Sequence, residues 1–265
     1  MDYNSLLTCA INAANIAGQY ILDALNHPPI VAHKGRTDLV TETDKLSERT
    51  IIQHISKIFP SHSILAEESG QNLLDSEYLW IIDPLDGTTN FIHKFPSFGV
   101  SIACMVRNNP VIGVVLELPS NHCYTAIKGQ GAFRDNSPIN VSDTADLSQS
   151  LLVTGFGYDH GDKWHANMDL FKVFTDITQG VRRLGAASID LCHVASGMVD
   201  GFWELDLHPW DTAAGILIVK EAGGCVTQMD GTDFSIYDKQ ILASNGSIHE
   251  SMINFTGPAI NLLHS

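Results

Sequence analysis

Leu79-Trp80-Ile81-Ile82-Asp83-Pro84-Leu85-Asp86-Gly87-Thr88-Thr89-Asn90-Phe91 runs from four apolar residues into two acids, a glycine and two threonines, with the acidic pair Glu67-Glu68 just upstream. A strand that meets Asp-Pro-x-Asp is expected to reverse there, because proline fits the second position of a tight turn and such a turn brings its first and fourth residues within about 7 Å. Asp83 and Asp86 then face one another. Two carboxylates about 4 Å apart repel by roughly 4 kcal/mol at an effective dielectric of about 20, so a fold that gathers several of them normally needs a cation. Hard oxygen ligands of this kind suit magnesium. Gly87 and Thr88 follow where the chain is expected to enter a helix, and free amides at a helix start attract phosphate oxygens. Taken alone, the same letters also suit an ordinary solvated turn with Asp86 capping a helix; the remaining acids decide between the two.

Composition excludes several classes. The 265 residues are 44% hydrophobic and 17% charged, enough to bury a sizeable core as one large domain or two tightly joined halves. No apolar stretch approaches the 18 or so uncharged residues of a membrane helix, and Met1-Asp2-Tyr3-Asn4 lacks the basic-then-apolar order of a secretion signal, so a cytoplasmic protein without membrane contact is expected. Cys9, Cys104, Cys123, Cys192 and Cys225 are scattered without zinc or dithiol spacing and read as reduced packing residues. The 12 histidines show no His-Glu-x-x-His pattern. A formal charge of -15 repels nucleic acid over most of the surface, leaving only a local basic pair at Arg182-Arg183.

No linker, repeat or low-complexity segment interrupts the chain. Leu6, Ala10, Ala14, Ala17, Ile21 and Leu25 recur at helical spacing up to Pro28-Pro29, and Leu46, Ile51, Ile52, Ile55 and Phe59 do so up to Pro60. An antiparallel meander is expected from Val100–Val106, Val111–Leu118 and Cys123–Ile127, followed by a short hairpin over Gly129–Arg134 and Ile139–Val141. Beyond about residue 148 the pattern reads strand Leu151–Thr154, helix Lys163–Thr178, strand Val181–Leu184, helix Ser188–Met198, strand Gly201–Leu205 and helix Trp210–Ala222. Strands Cys225–Met229 and Gln240–Ala243 follow, and then a terminal helix that Pro258 interrupts. The organisation expected is one catalytic unit, 1–265, built from an N-terminal α+β half, 1–148, and a C-terminal α/β half, 149–265.

A second acidic group stands in that later half at Glu204, Asp206 and Asp211. Pro209 suits the first turn of a helix and places Asp211 in the same turn, near the positive end of the helix dipole. By itself such an acid merely stabilises a helix start, and Glu204 at the end of an apolar strand reads as solvated.

Together these segments resemble the inositol monophosphatase family. Its two signature motifs are matched by Asp83-Pro-Leu-Asp-Gly-Thr-Thr-Asn-Phe91, with Glu67-Glu68-Ser69 ahead of it, and by Pro209-Trp-Asp211 with the small residues after it. Lys34-Gly-x-x-Asp38-Leu-Val-Thr41-x-x-Asp44, Arg182-Arg183-x-Gly185-Ala-Ala187 and Glu221-Ala-Gly-Gly224 agree in order and spacing. The resemblance covers nearly the whole chain and implies a layered αβαβα sandwich of mixed α+β and α/β character, commonly a homodimer. It implies two or three Mg²⁺ per site, held by Glu67, Asp83, the Leu85 carbonyl, Asp86 and Asp211. In-line attack by water would be directed by Glu67 and Thr88, with Asp44 positioning Thr88 and the amides of Gly87 and Thr88 holding phosphate oxygens. Asp86, Ala187 and Glu204 match positions that contact inositol hydroxyls, and Lys34 resembles a lysine near the site. At Asp206 many relatives carry a small residue.

Thr88-Thr89-Asn90-Phe91 resembles the branch acting on inositol monophosphates, small phosphorylated polyols, with lithium sensitivity. Close relatives of that branch handle fructose 1,6-bisphosphate and histidinol phosphate. Some bacterial members are also binding partners in ribosomal RNA transcription complexes, and Arg182-Arg183 resembles theirs; the strong acidity argues against direct RNA binding.

Overall fold

The computed structural model describes residues 2–27, 31–33, 39–157 and 160–263. In chain order its elements are α1 (Tyr3–Ala24), β1 (Val31–His33), β2 (Leu39–Thr41), α2 (Glu42–Ile58), β3 (Ser63–Ala66), β4 (Gly70–Asn72), β5 (Tyr78–Asp86), α3 (Thr88–His93), β6 (Phe98–Val106), β7 (Asn109–Leu118), β8 (His122–Ile127), β9 (Ala132–Arg134) and β10 (Ser137–Ile139). Then follow β11 (Leu151–Thr154), α4 (Asp162–Ile177), β12 (Gly180–Arg182), α5 (Ala187–Ala195), β13 (Gly201–Leu205), α6 (Pro209–Glu221), β14 (Cys225–Thr227), β15 (Gln240–Ser244) and α7 (His249–Leu263).

An eight-stranded sheet has the order β10-β9-β8-β7-β6-β5-β3-β4, and a five-stranded sheet the order β12-β11-β13-β15-β14. The strands from β6 to β8 form the expected antiparallel meander, β5 adds to it antiparallel beside β6, and β3 joins β5 in parallel. Alternation along the central strands sends side chains to two different cores. Trp80, Ile82, Ile102, Cys104, Val114 and Leu116 pack under α1 and α2, whereas Ile81, Ala103 and Val115 pack against α5 and α6. Strands covered on both faces need apolar residues at nearly every position, which is why β6 and β7 read as continuous hydrophobic runs. The small sheet lies against the other side of α5 and α6, and its outer face, with Leu152, Trp203 and Leu242, is closed by α4 and α7. The result is the αβαβα sandwich.

α6 is buried along most of its length, Thr212 to Val219 without a break, as a helix apolar around its whole circumference requires. It can lie so close to the sheet because Gly113 of β7 has no side chain; a Cβ there would stand 2.7 Å from the Ala214 carbonyl. Among the described residues no helix is long and apolar enough to cross a membrane. All five cysteines are free, with Cys9, Cys104 and Cys192 buried.

Two expectations are corrected. The chain does not reverse at Asp83-Pro84-Leu85-Asp86. β5 runs through it with a register shift, Asp83 opposite Ser101 and Asp86 opposite Gly99. A bulge tolerates the proline that a regular ladder would reject, and it leaves the strand heading onward into α3. Nor does Pro258 interrupt the last helix, which is continuous from His249 to Leu263. The proline strips a partner from the carbonyl of Asn254, four residues back, and Asn254 is an exposed residue, where solvent can stand in for a missing amide; buried Thr256 and Ile260 keep the turns beyond it docked. The sequence also hid β3 and β4, too short to show a period, and β12 lies slightly ahead of the expected Val181–Leu184.

Candidate active site

The bulge in β5 positions the first acids. Asp83 Oδ1 accepts the Leu85 amide at 3.0 Å, curling the backbone around its own carboxylate, and the Ser47 hydroxyl of α2 donates to the Pro84 carbonyl at 2.7 Å. Gly87 then turns the chain at φ 86°. A Cβ at Gly87 would lie 2.9 Å from the Ser97 carbonyl, so the left-handed turn and the close neighbour both demand glycine. α3 begins at Thr88, as expected. Thr88 Oγ1 donates to Asp44 Oδ1 at 2.8 Å. Asp44 is itself fixed at the start of α2, where its other oxygen accepts the amide and hydroxyl of Thr41 in a capping box. Glu67 is anchored at the end of β3 by its amide, which donates to the Ile82 carbonyl at 3.2 Å, and the next amide, of Glu68, is held at 2.8 Å by buried Glu48.

The later half supplies the opposite wall. Asp211 lies in the first turn of α6, its Oδ2 accepting the His208 amide at 2.6 Å. Asp86 Oδ2 accepts the Ser188 amide at 2.8 Å and the Ser188 hydroxyl at 2.6 Å, from the first turn of α5. Asn90 closes the seam, its side-chain amide donating to the carbonyls of Ser97 at 2.6 Å and Leu184 at 2.7 Å. Glu204, in β13, is buried rather than solvated, and Gly155 facing it has no room for any side chain. One cavity of about 870 Å³ is lined by Glu67, Asp83, Leu85, Asp86, Gly87, Thr88, Ala187, Glu204 and Asp211 among others. Asp44 stands just behind Thr88. Lys34 lies outside the described residues.

Seven carboxylates line this cavity against the basic side chains of Lys163, Arg183 and Lys239. Burial pushes the Asp83 carboxyl well above the usual range, and the charges of Glu67, Asp86 and Asp211 push it further. Asp211 is raised in the same way, by burial and then by Asp86. Glu204 is raised by burial and by Asp190, Asp211 and Asp86. Asp86 is pushed up to about 6 by burial, with the Ser188 hydrogen bonds opposing. No three acidic, thiol or imidazole groups among the described residues stand together as a closed metal cage; the carboxylates are spread around the cavity but feel one another's charge. A dianionic phosphate ester could not enter such a field uncompensated, so the donor set, all hard oxygens under mutual repulsion, fits hard divalent cations.

Sequence reasoning passed over Ser188, Asp190, Lys163 and Lys239. A lone acid among apolar helical positions was the available signal for Asp190, which is fully buried with neither carboxylate oxygen hydrogen-bonded, and whose titration burial and Asp86 raise. Ser188 gave no signal, because its value lies in what it meets 102 residues away.

The profile of the inositol monophosphatase family matches residues 2–257. The chloroplastic phosphatase IMPL1 of Arabidopsis thaliana is 47% identical over 260 residues, spanning 96% of this chain and 70% of that protein. The Nus factor SuhB of Salmonella typhimurium is 40% identical over 252 residues, with 94% of each covered. The solved structure of an inositol monophosphatase from Anabaena (Nostoc) sp. PCC 7120 superposes with a TM-score of 0.87 at 44% identity, covering 96% of both chains.

Proposed function

The chain belongs to the inositol monophosphatase family and is a phosphatase of that metal-dependent group, and from this premise we propose that it hydrolyses myo-inositol monophosphates to inositol and phosphate with magnesium. The observation that carries the reading is the convergence of Asp83 and Asp86 from one part of the chain with Glu204 and Asp211 from another on a single cavity. Glu67, Asp83, Asp86, Asp211 and the Leu85 carbonyl would hold two or three magnesium ions. Bound there, magnesium supplies a more acidic water and charge neutralisation for the phosphoryl group.

The chain's own residues do the rest. Asp44 at 2.8 Å and the Leu85 carbonyl at 3.1 Å both face the one proton of Thr88, which leaves the Thr88 oxygen to accept; it orients a water by receiving a hydrogen bond from it. Glu67 accepts the attacking water's proton as the P–O bond to inositol breaks, and a proton from solvent completes the departing inositol hydroxyl. The amides of Gly87 and Thr88, at the turn into α3, hold phosphate oxygens as charge shifts in the transition state. Asp86 and Glu204 accept polyol hydroxyls, and Ala187 lines the ring's seat. Thr88-Thr89-Asn90-Phe91, and a solved relative described as an inositol monophosphatase, support the substrate.

Phosphate release from inositol 1-phosphate, fructose 1,6-bisphosphate, histidinol phosphate and adenosine bisphosphate tests the reading. Inositol 1-phosphate is expected to lead, turnover to disappear with a chelator and to be inhibited by lithium, and Asp86→Asn to lose about three or more orders of magnitude while staying folded. Preference for another substrate in that panel, or full turnover in Asp86→Asn, would sink it. A cytoplasmic homodimer is part of the same reading, checked by light scattering and by localisation of the tagged protein. The kinship with a Nus factor supports a second role, binding within a transcription complex through the exposed Arg182 on β12; a complex captured equally well by wild type and Asp86→Asn, and lost in Arg182→Ala, would establish it.

A further inference from the structure

Asp206 occupies the turn between Glu204 and the start of α6 at φ 66°, a backbone conformation that favours glycine. Its amide donates to the Lys239 carbonyl at 2.6 Å, which pins the turn. Its Oδ1 receives the ammonium of Lys163 at 2.6 Å, brought from the first turn of α4, 43 residues earlier. Gly157 faces it: a Cβ there would stand 3.2 Å from Asp206 Cβ and 3.3 Å from Oδ2, so a glycine leaves the space the carboxylate fills. Asp206, Lys163 and Gly157 all line the active-site cavity. A residue kept in an uncommon backbone region, with a counter-charge delivered from another element and a glycine cleared opposite, marks a wall shaped for its side chain.

We infer that Asp206, held by Lys163, is the specificity-determining residue at the rim of this cavity, admitting polyol monophosphates that present hydroxyls there and rejecting substrates that carry a second phosphate. The inference rests on the phosphomonoesterase reading above and deepens it. A carboxylate whose counter-ion occupies one oxygen can accept a sugar hydroxyl on the other. The same oxygen repels a phosphate, and the Lys163 charge, offset by Asp206, attracts one less strongly. Removing Asp206 removes the repulsion and releases Lys163 at the same stroke.

Asp206→Gly relaxes the backbone at this φ, so loss of fold is not the expected failure. For that variant kcat/KM on fructose 1,6-bisphosphate should rise about fivefold and that on inositol 1-phosphate fall about threefold, both through KM, which is the scale half-exposed charges support. Lys163→Met should move the ratio the opposite way, and Asp206→Gly combined with Lys163→Met should lose the gain on the bisphosphate. An unchanged ratio, or an equal loss on both substrates, with wild-type turnover of inositol 1-phosphate intact, overturns the role of the rim alone. A wild type that releases no phosphate from inositol 1-phosphate overturns the substrate reading beneath it.

Discussion

Ser188 gives both its amide and its hydroxyl to the same oxygen of Asp86, at 2.8 and 2.6 Å. One residue opens α5 in the later half of the chain and the other ends β5 in the earlier half, so a two-pronged bond joins the layers at the cavity floor. Hydrogen bonds to a buried carboxylate are about twice as strong as neutral ones. They aim one oxygen of Asp86 at the protein.

Ser188→Ala keeps the amide prong and loses the hydroxyl. Stability should fall by about 1–3 kcal/mol, the cost of leaving a buried charged acceptor short of a donor. kcat/KM should drop about tenfold as the carboxylate gains freedom. Chemical denaturation alongside phosphate-release kinetics measures both; undiminished kcat/KM would refute the positioning of Asp86 by Ser188.

Asp44→Asn offers a sharper test of the Thr88 relay. Thr41 donates to one oxygen of Asp44 and Thr88 to the other. An amide has a single acceptor oxygen, and with that oxygen kept by Thr41 its NH₂ faces Thr88 and makes the hydroxyl an acceptor. kcat should fall about a hundredfold with KM nearly constant. A change confined to KM would assign Thr88 to binding alone.

Protonation offers a third test. Asp86 is raised from 3.8 to about 6 by burial, and Asp83, Asp211 and Glu204 are raised well above the ordinary range. A carboxyl whose folded pKa exceeds its unfolded pKa binds more protons in the folded state, so stability is greatest below the unfolded value and declines as pH rises toward and through the folded one. Chelator-treated protein should therefore become less stable between about pH 4 and 6 through Asp86, by at most roughly 3 kcal/mol. Asp86→Asn should lose that part of the slope, and saturating magnesium should stabilise the wild type most at neutral pH. Thermal melts across pH, with and without magnesium, decide; identical slopes for the wild type and Asp86→Asn would contradict the burial of this charge.

Gly113→Ala tests the seat of α6. The added methyl meets the Ala214 backbone at 2.7 to 3.3 Å, and α6 carries Asp211 in its first turn. Overpacking against backbone should cost about 1–3 kcal/mol, and kcat should fall as Asp211 moves with the helix. A melting temperature and kcat equal to wild type would show that the helix has slack.

Most of the elements were legible because their signals are local. The apolar period of α1 and α2, the unbroken hydrophobic runs of β6 and β7, and Pro209 followed by Asp211 each report a conformation within a few residues. Misreadings came where a local signal met a tertiary one. Asp83-Pro84 looked like a reversal, but pairing with β6, which continues past the end of the β3 ladder at Ile82, carried the strand through as a bulge. Pro258 looked like a stop, but exposure of Asn254 and docking of Ile260 let the helix continue.

Sequence by itself determined which residues are acidic, which segments are apolar, and that the order of motifs matches one phosphatase family from end to end. It could not determine that Glu204 is buried beside Gly155, that Ser188 grips Asp86, or that Lys163 reaches Asp206. Those facts belong to the tertiary structure alone, since burial and charge coupling are set by distances between parts of the chain 40 to 100 residues apart, and those distances exist only once both sheets have closed on α5 and α6.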